Sequence, residues 1–168
     1  MAGIFLQPSD FKGRFDIGQN GFSAEDLQLF IEYYEKDYLT DLLGCELFQL
    51  FIDDLDSGIP QTTIYKVIYN ALCVDNGCDI IKSEGMKDML RAFIYFEFAR
   101  KSDNQVTISG NTRSSSDNST KPTQREVSLY LFYNEGLNSY KNIQEYICEN
   151  ITDYPTYNGQ PKQASTWL

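Results

Sequence analysis

The sequence predicts a mainly α fold, a small bundle of four to five helices with an extended strand-like loop and irregular arms at both ends. Three observations predict it. Met86, Met89, Leu90, Phe93 and Phe96 fall at helical spacing within Ser83–Lys101, and from Ala92 to Ala99 only Glu97 is not apolar. A helix apolar on all sides is the buried centre of its domain. This one is too short and too closely flanked by charge to span a bilayer. A second stripe, Leu129, Phe132, Tyr133, Leu137, Tyr140, Ile143, Ile147 and Ile151, recurs every three or four residues along a long final helix. Between the two lies Ser102–Lys121, dominated by Ser, Thr, Asn and Asp and longer than an ordinary connection.

The length of 168 residues implies one domain. It reads as an N-terminal arm at 1–22, a helical domain at 23–151 that includes the inter-helix loop 102–121, and a C-terminal tail at 152–168. In the arm, Pro8, Gly13, Gly18 and Gly21 interrupt any periodicity, while Ile4, Phe5, Leu6, Phe11, Phe15 and Phe22 supply anchors. Such an arm is expected to lie on a surface, that of a neighbouring copy being one candidate. Ser23-Ala24-Glu25-Asp26 opens the first long helix with an acidic first turn, and Phe22 is placed to staple Leu27 or Phe30. The stripe of that helix is Leu27, Ile31, Tyr34, Tyr38, Leu42 and Cys45, with Gly44 as a stop or kink. A second helix presents Phe48, Phe51, Ile52 and Leu55 and ends at Asp56–Pro60.

Ile64, Val67, Ile68 and Ala71 suggest a third helix, although their β-branched content also suits a strand. Asp75-Asn76-Gly77 is a turn signal, and Ile80-Ile81 a short extended piece before the central helix. Ser83 is the expected N-cap of that helix, with Glu84 in its first turn. Pro122 suits the first position of the last helix. Gly136 lies inside the last helix. A glycine there costs roughly 1 kcal/mol relative to Ala, which a close helix crossing would explain. Beyond Ile151, Pro155, Gly159 and Pro161 break the pattern, and Tyr154, Tyr157 and Trp167 remain as anchors.

The formal charge of −10 is unevenly spread. Residues 23–56 hold ten Asp/Glu against Lys36 alone, a balance of −9, and the other 14 acidic and 13 basic residues leave −1. The acidity belongs to the first helical hairpin, which disfavours nucleic-acid binding through a basic patch. The ordinary meaning of such a run is a solvated face. Cys45, Cys73, Cys78 and Cys148 have no CxxC spacing and there is no histidine, so the usual zinc ligand sets are missing. Neither a metal nor any other cofactor is expected. The first fifteen residues carry no long apolar segment of the secretory kind. The thiols therefore read as free and the compartment of synthesis as cytoplasmic.

A nucleophile–histidine pair is ruled out by composition, and no glycine-rich phosphate loop followed by Lys is present. No catalytic residue is assigned. The carboxylates that remain of interest are Asp53-Asp54 and Glu97, the latter between Phe96 and Phe98. A buried Glu97 must be paired, hydrogen-bonded or protonated. A structural bond to a Tyr or Arg is its simplest role, with a partner from another helix favoured over Arg91 or Arg100.

The order of elements resembles that of the head–tail connector (adaptor) proteins of tailed bacteriophages, with the ring proteins beneath the portal of crAss-like phages as the nearest version. The resemblance is carried by Tyr95–Arg100 at a helix end, the extended Val106–Gly110, the Ser/Asn run Ser116-Asp117-Asn118-Ser119, and the long helix that follows. It covers Ser23 to Ile151 as a sequence of elements. It implies a structural virion protein, not an enzyme. Such a protein is made in the bacterial host cytoplasm and located at the portal vertex, where the head meets the tail. Its partners would be a ring of roughly a dozen copies of itself, the portal protein, and other ring or tail proteins. DNA would pass nearby without specific binding, and no membrane would be involved. The alternative is a small carboxylate-based, polysaccharide-degrading hydrolase of the virion.

On this reading the loop and tail are the segments that bind partners, through Val106 and Ile108 in the loop and Tyr154, Tyr157 and Trp167 in the tail. Gln105–Ser109 alternates polar and apolar residues and is expected to add as a strand to another chain. Both segments are expected to be poorly ordered in the free subunit, so that removing the tail leaves the stability of the monomer unchanged. Glu32, Glu35 and Asp41 are candidates to line the DNA exit channel. Their substitution by Lys is expected to leave folding intact. The same face could equally point to solvent or meet a basic partner.

Overall fold

The computed structural model describes residues 3–17, 24–75, 77, 80–102, 104–107, 110–113 and 124–162, with the side chains of 102, 104–107, 110–113 and 124–128 excepted. The described chain is mainly α. Its helices are α1 (Ala24–Leu43), α2 (Cys45–Asp53), α3 (Thr63–Tyr69), α4 (Met86–Ser102) and α5 (Gln124–Glu149). Three antiparallel two-stranded hairpins join them: β1 (Leu55–Asp56) with β2 (Ile59–Pro60), β3 (Leu72–Asp75) with β4 (Ile80–Ser83), and β5 (Asn104–Thr107) with β6 (Gly110–Arg113). Short 3-10 turns at Pro8–Asp10 and Gly13–Phe15 shape the arm.

Helix α4 is the centre of the bundle, packed between α1 and α5. Phe93 is fully buried. Its ring stacks on Tyr38 of α1 at 4.4 Å and meets Tyr133 and Tyr140 of α5 at 5.3 and 6.1 Å. The crossing of α4 and α5 is close because Gly136 has no side chain. A Cβ there would lie 3.1 Å from the Ala92 Cβ and 3.2 Å from the Met89 carbonyl oxygen. The glycine's helix-propensity penalty is offset by backbone approach and the packing it allows.

Gly44 separates α1 from α2 with φ +80°, a conformation that glycine tolerates and β-carbon-bearing residues avoid. Cys45, at the end of the expected stripe, therefore starts α2 and is exposed. The ambiguous third segment is helical from Thr63 to Tyr69, and Ala71 lies outside it. The expected turn after Asp75 joins β3 to β4, with the Gly77 N–H donating to Asp75 Oδ1. Asn76 and Cys78 lie outside the described residues.

The start of α4 differs from the expectation. Ser83 is the last residue of β4, paired with Leu72, and its Oγ accepts the Gly85 N–H at 3.0 Å. The helix begins at Met86, so Asp88 and not Glu84 supplies the acid of its first turn. The reason is tertiary. Strand β4 alternates buried Ile81 and Ser83 with exposed Ile80 and Lys82. It is tied to α5 by Asn142 Nδ2 donating to the Lys82 carbonyl and Glu84 N–H donating to Ser139 Oγ.

Both terminal segments, as far as they are described, pack on their own chain. Phe5, Leu6, Phe11 and Phe15 are buried in the common core. The Phe5 ring lies edge-on to Phe51 and Tyr69, and Phe15 to Tyr95. The arm thus lies on a surface, as its anchors led one to expect, and that surface is its own chain's and not a neighbouring copy's. The expected disorder of the tail is also corrected for residues 152–162. Tyr154 is buried and its hydroxyl donates to the Ile64 carbonyl at 2.7 Å. The N–H groups of Asn158 and Gln160 donate to the carbonyls of Leu43 and Asp41, satisfying the otherwise open C-terminal end of α1. Phe22 and Trp167 lie outside the described residues.

Candidate functional surface

The extended segment of the inter-helix loop forms strand β5. It pairs with β6 of the same chain in the register Asn104↔Arg113, Gln105↔Thr112, Val106↔Asn111 and Thr107↔Gly110. Strand β6 of the same chain thus occupies one edge of the segment expected to add to another chain. Within the described residues no third strand joins this pair, so each strand keeps an outer edge of main-chain donors and acceptors. A lone two-stranded hairpin is marginal in water, and an open edge is a template for a further strand. Val106 belongs to β5. Ile108 lies outside the described residues, as does the run Ser116–Ser119.

The acidic candidates separate into three environments. Glu35 does not face any channel: it is fully buried, and its carboxylate accepts the N–H groups of Ile4, Phe5 and Leu6 at 2.6, 2.6 and 3.1 Å. Burial raises its pKa to about 7 against the pull of those three bonds and the nearby Lys87 ammonium, both of which favour the charged form. Asp41 is half-buried and ion-paired with Lys162 at 2.8 Å, so the tail covers it. Glu32 is half-buried on α1 and accepts from Gln28 Nε2. The outward acidic face of the first two helices is carried by Glu25, Glu32, Asp37, Glu46 and Asp53.

Glu97 is buried between α1 and α4. Tyr38 donates its hydroxyl to Oε1 at 3.3 Å and Arg100 donates to Oε2 at 2.6 Å. The partner from another helix is present, and so is the same-helix Arg100 that the sequence reading disfavoured, because a spacing of three places the two on one face. Burial, and then the neighbouring Glu97 charge, push the Tyr38 hydroxyl well above its ordinary range. Asp54 is engaged by the N–H groups of Gln61 and Thr62 and by the Thr62 hydroxyl, closing the β1–β2 turn. Each of these carboxylates thus holds backbone or side chain in place.

Of the aromatic anchors assigned to the tail, Tyr154 is enclosed by its own core and Tyr157 is half-buried against it. Two further surfaces are not among the sites expected from the sequence. Leu29 and Tyr33 stand on the outer side of α1, 65% and 67% exposed. Their signal was available, since both are apolar residues one turn apart and out of phase with the buried stripe. The other surface is a groove of about 730 Å³ between α4, α5 and β4, with Met89, Ala92 and Gly136 along it and Arg14, Lys82 and Lys141 among its charged residues. No local spacing marks it, because it joins segments remote in sequence.

Among the described residues no group of His, Cys, Asp and Glu is placed to hold a metal ion, and no helix is long and apolar enough to cross a membrane. Compared with protein-family models, curated proteins and solved structures, the chain has no match.

Proposed function

We propose that the protein is a structural virion subunit, a head–tail connector that forms a ring with copies of itself between portal and tail. The observation that carries this reading is the β5–β6 hairpin, inserted between α4 and α5 and joined by no third strand among the described residues. A small helical body needs no such hairpin for its own core, whereas a subunit that joins neighbours gains main-chain bonds from one. The element order of the connector resemblance, from a helix ending at Tyr95–Arg100 through an extended segment to a long helix, supports the same reading. The acidic outer face of α1 and α2 is compatible with a ring through which DNA slides, since like charge disfavours phosphate binding.

Light scattering over a concentration series, with and without portal protein, tests the proposal. The whole chain is expected to assemble into multimers of defined mass, and a chain in which 104–113 is replaced by a short Gly/Ser linker to remain monomeric. A whole chain that stays monomeric under both conditions would overturn it.

A further inference from the structure

The N-terminal arm is fastened to the helical body at two places of different chemistry. Near its start the Glu35 carboxylate takes the Ile4 N–H on Oε2 and the Phe5 and Leu6 N–H groups on Oε1. Farther along, the Phe15 ring sits among Tyr95, Phe132 and Arg91, and Arg14 pairs with Glu135. Between the two the backbone of the arm bonds to itself. The Asp10, Phe11 and Phe15 N–H groups donate to the carbonyls of Gln7, Pro8 and Lys12. Among the described residues, the Glu35 carboxylate is therefore the only hydrogen-bonded tie from the arm's backbone to the body.

We propose that Gly3–Gln7 is a strap that opens when Glu35 ionises, turning about Pro8–Asp10 while Phe15 stays seated. The three bonds use three of the roughly four lone-pair positions of the carboxylate. The remaining one, on Oε2, can carry a proton without loss of a bond, so the protonated acid fits the closed strap. The ionised acid fits it less well, because Glu35 is fully buried and no cation pairs with it among the described residues. Lys87 of α4 acts on it from an exposed position. Gly3–Gln7 carry no ionisable side chain, Asp10 is turned to the Gln7 N–H, and α2 and α3 bring the rings of Phe51 and Tyr69 against Phe5.

With the strap away, the carboxylate loses the peptide groups that cover it and meets water, where its charged form is favoured. Ionisation therefore shifts the balance toward the open strap, and a pKa raised to about 7 puts this change near neutrality. The opening is local, since it breaks no contact between α4 and α5. It uncovers the faces of Phe51 and Tyr69 on which Phe5 rests. The strap stands independently of the ring reading.

Amide exchange on the full-length chain tests the proposal. Protection of the Phe5 and Leu6 N–H groups, corrected for the chemical exchange rate, should fall about tenfold between about pH 6 and about pH 8. That ratio follows from a closed pKa of about 7 and an open one of the ordinary 4.5. The N–H groups of Leu90 and Ile143, inside α4 and α5, should keep their protection. In Glu35→Gln, which still accepts through Oε1 and cannot ionise, protection of the strap should be the same at both pH values. Lys87→Met removes a cation that favours the charged form, so it should move the transition to higher pH. Lys87 is exposed, and this variant is expected to fold as the parent does.

Equal protection of the parent's strap at both pH values would overturn the proposal, as would a fall shared by Leu90 and Ile143. A pH dependence that survives in Glu35→Gln would do the same. Should that variant hold its strap open throughout, the Lys87→Met chain decides, and an unmoved transition there would overturn the assignment to Glu35.

Discussion

The carboxylate of Glu35 lies 2.6 Å from the backbone nitrogen of Phe5, thirty residues away in sequence and at the centre of the arm's attachment. One buried acid on α1 thereby orders three consecutive peptide groups that would otherwise enter the core unsatisfied. The same three bonds bring Phe5 and Leu6 into the core beside Phe51 and Tyr69.

Glu35 makes stability depend on pH. Its folded pKa of about 7 is above the ordinary value of 4.5, so the native state holds a proton that the unfolded chain releases between those values. Its contribution is fully present below the lower value and is lost as pH rises through the higher, by up to about 3 kcal/mol. Urea melts at about pH 5 and about pH 8 should show a difference that Glu35→Gln reduces. An equal difference in parent and variant would sink the assignment. Glu35→Lys, unlike Glu32→Lys, should fail to fold, because it sets a cation beneath three N–H donors.

Gly136 should not accept a branched side chain. Its α4 neighbours stand 3.1–3.3 Å from where a Cβ would be placed. Gly136→Val is expected to cost about 1–3 kcal/mol through overpacking. A denaturant midpoint equal to that of the parent would show that the α4–α5 crossing is wider than described.

Phe93→Ala should cost about 3–5 kcal/mol, the range for emptying a buried ring site. The stacked Tyr38 ring would lose its partner, so the near-ultraviolet circular dichroism should weaken as well. A loss below about 1 kcal/mol would remove α4 from the centre of the core.

The tail should prove part of the monomer. Tyr154→Ala is expected to cost about 3–5 kcal/mol, by the same cavity argument. Tyr154→Phe, which deletes only the bond to the Ile64 carbonyl, should cost about 1 kcal/mol. Amide exchange in the free chain should show the Asn158 and Gln160 N–H groups protected, since both bond to the end of α1. Unchanged stability after removal of 152–168 would restore the tail to the role of a free segment.

Helical spacing was enough to locate α1, α2, α4 and α5, and the Asp75-Asn76-Gly77 signal to place the turn after Asp75, because each depends on neighbours within a turn or two. The glycine inside α5 pointed to a close crossing, but its partners Met89, Ala92 and Phe93 came only with the tertiary structure. The third segment, with β-branched residues and a short span, suited either helix or strand until its packing decided. Tertiary structure alone decided where the anchors go. Phe5, Phe15 and Tyr154 sit in segments without periodicity, and whether such rings meet their own core or another chain depends on which distant surface offers a fitting pocket and hydrogen-bond partners. Glu35 shows the reason most plainly. On the linear chain it is one of ten acids in a charged run, and by charge count it belongs with Glu32. Only the arrival of the Ile4–Leu6 peptide groups, brought from outside the helix, makes its burial affordable and turns an expected surface charge into the fastening of the arm.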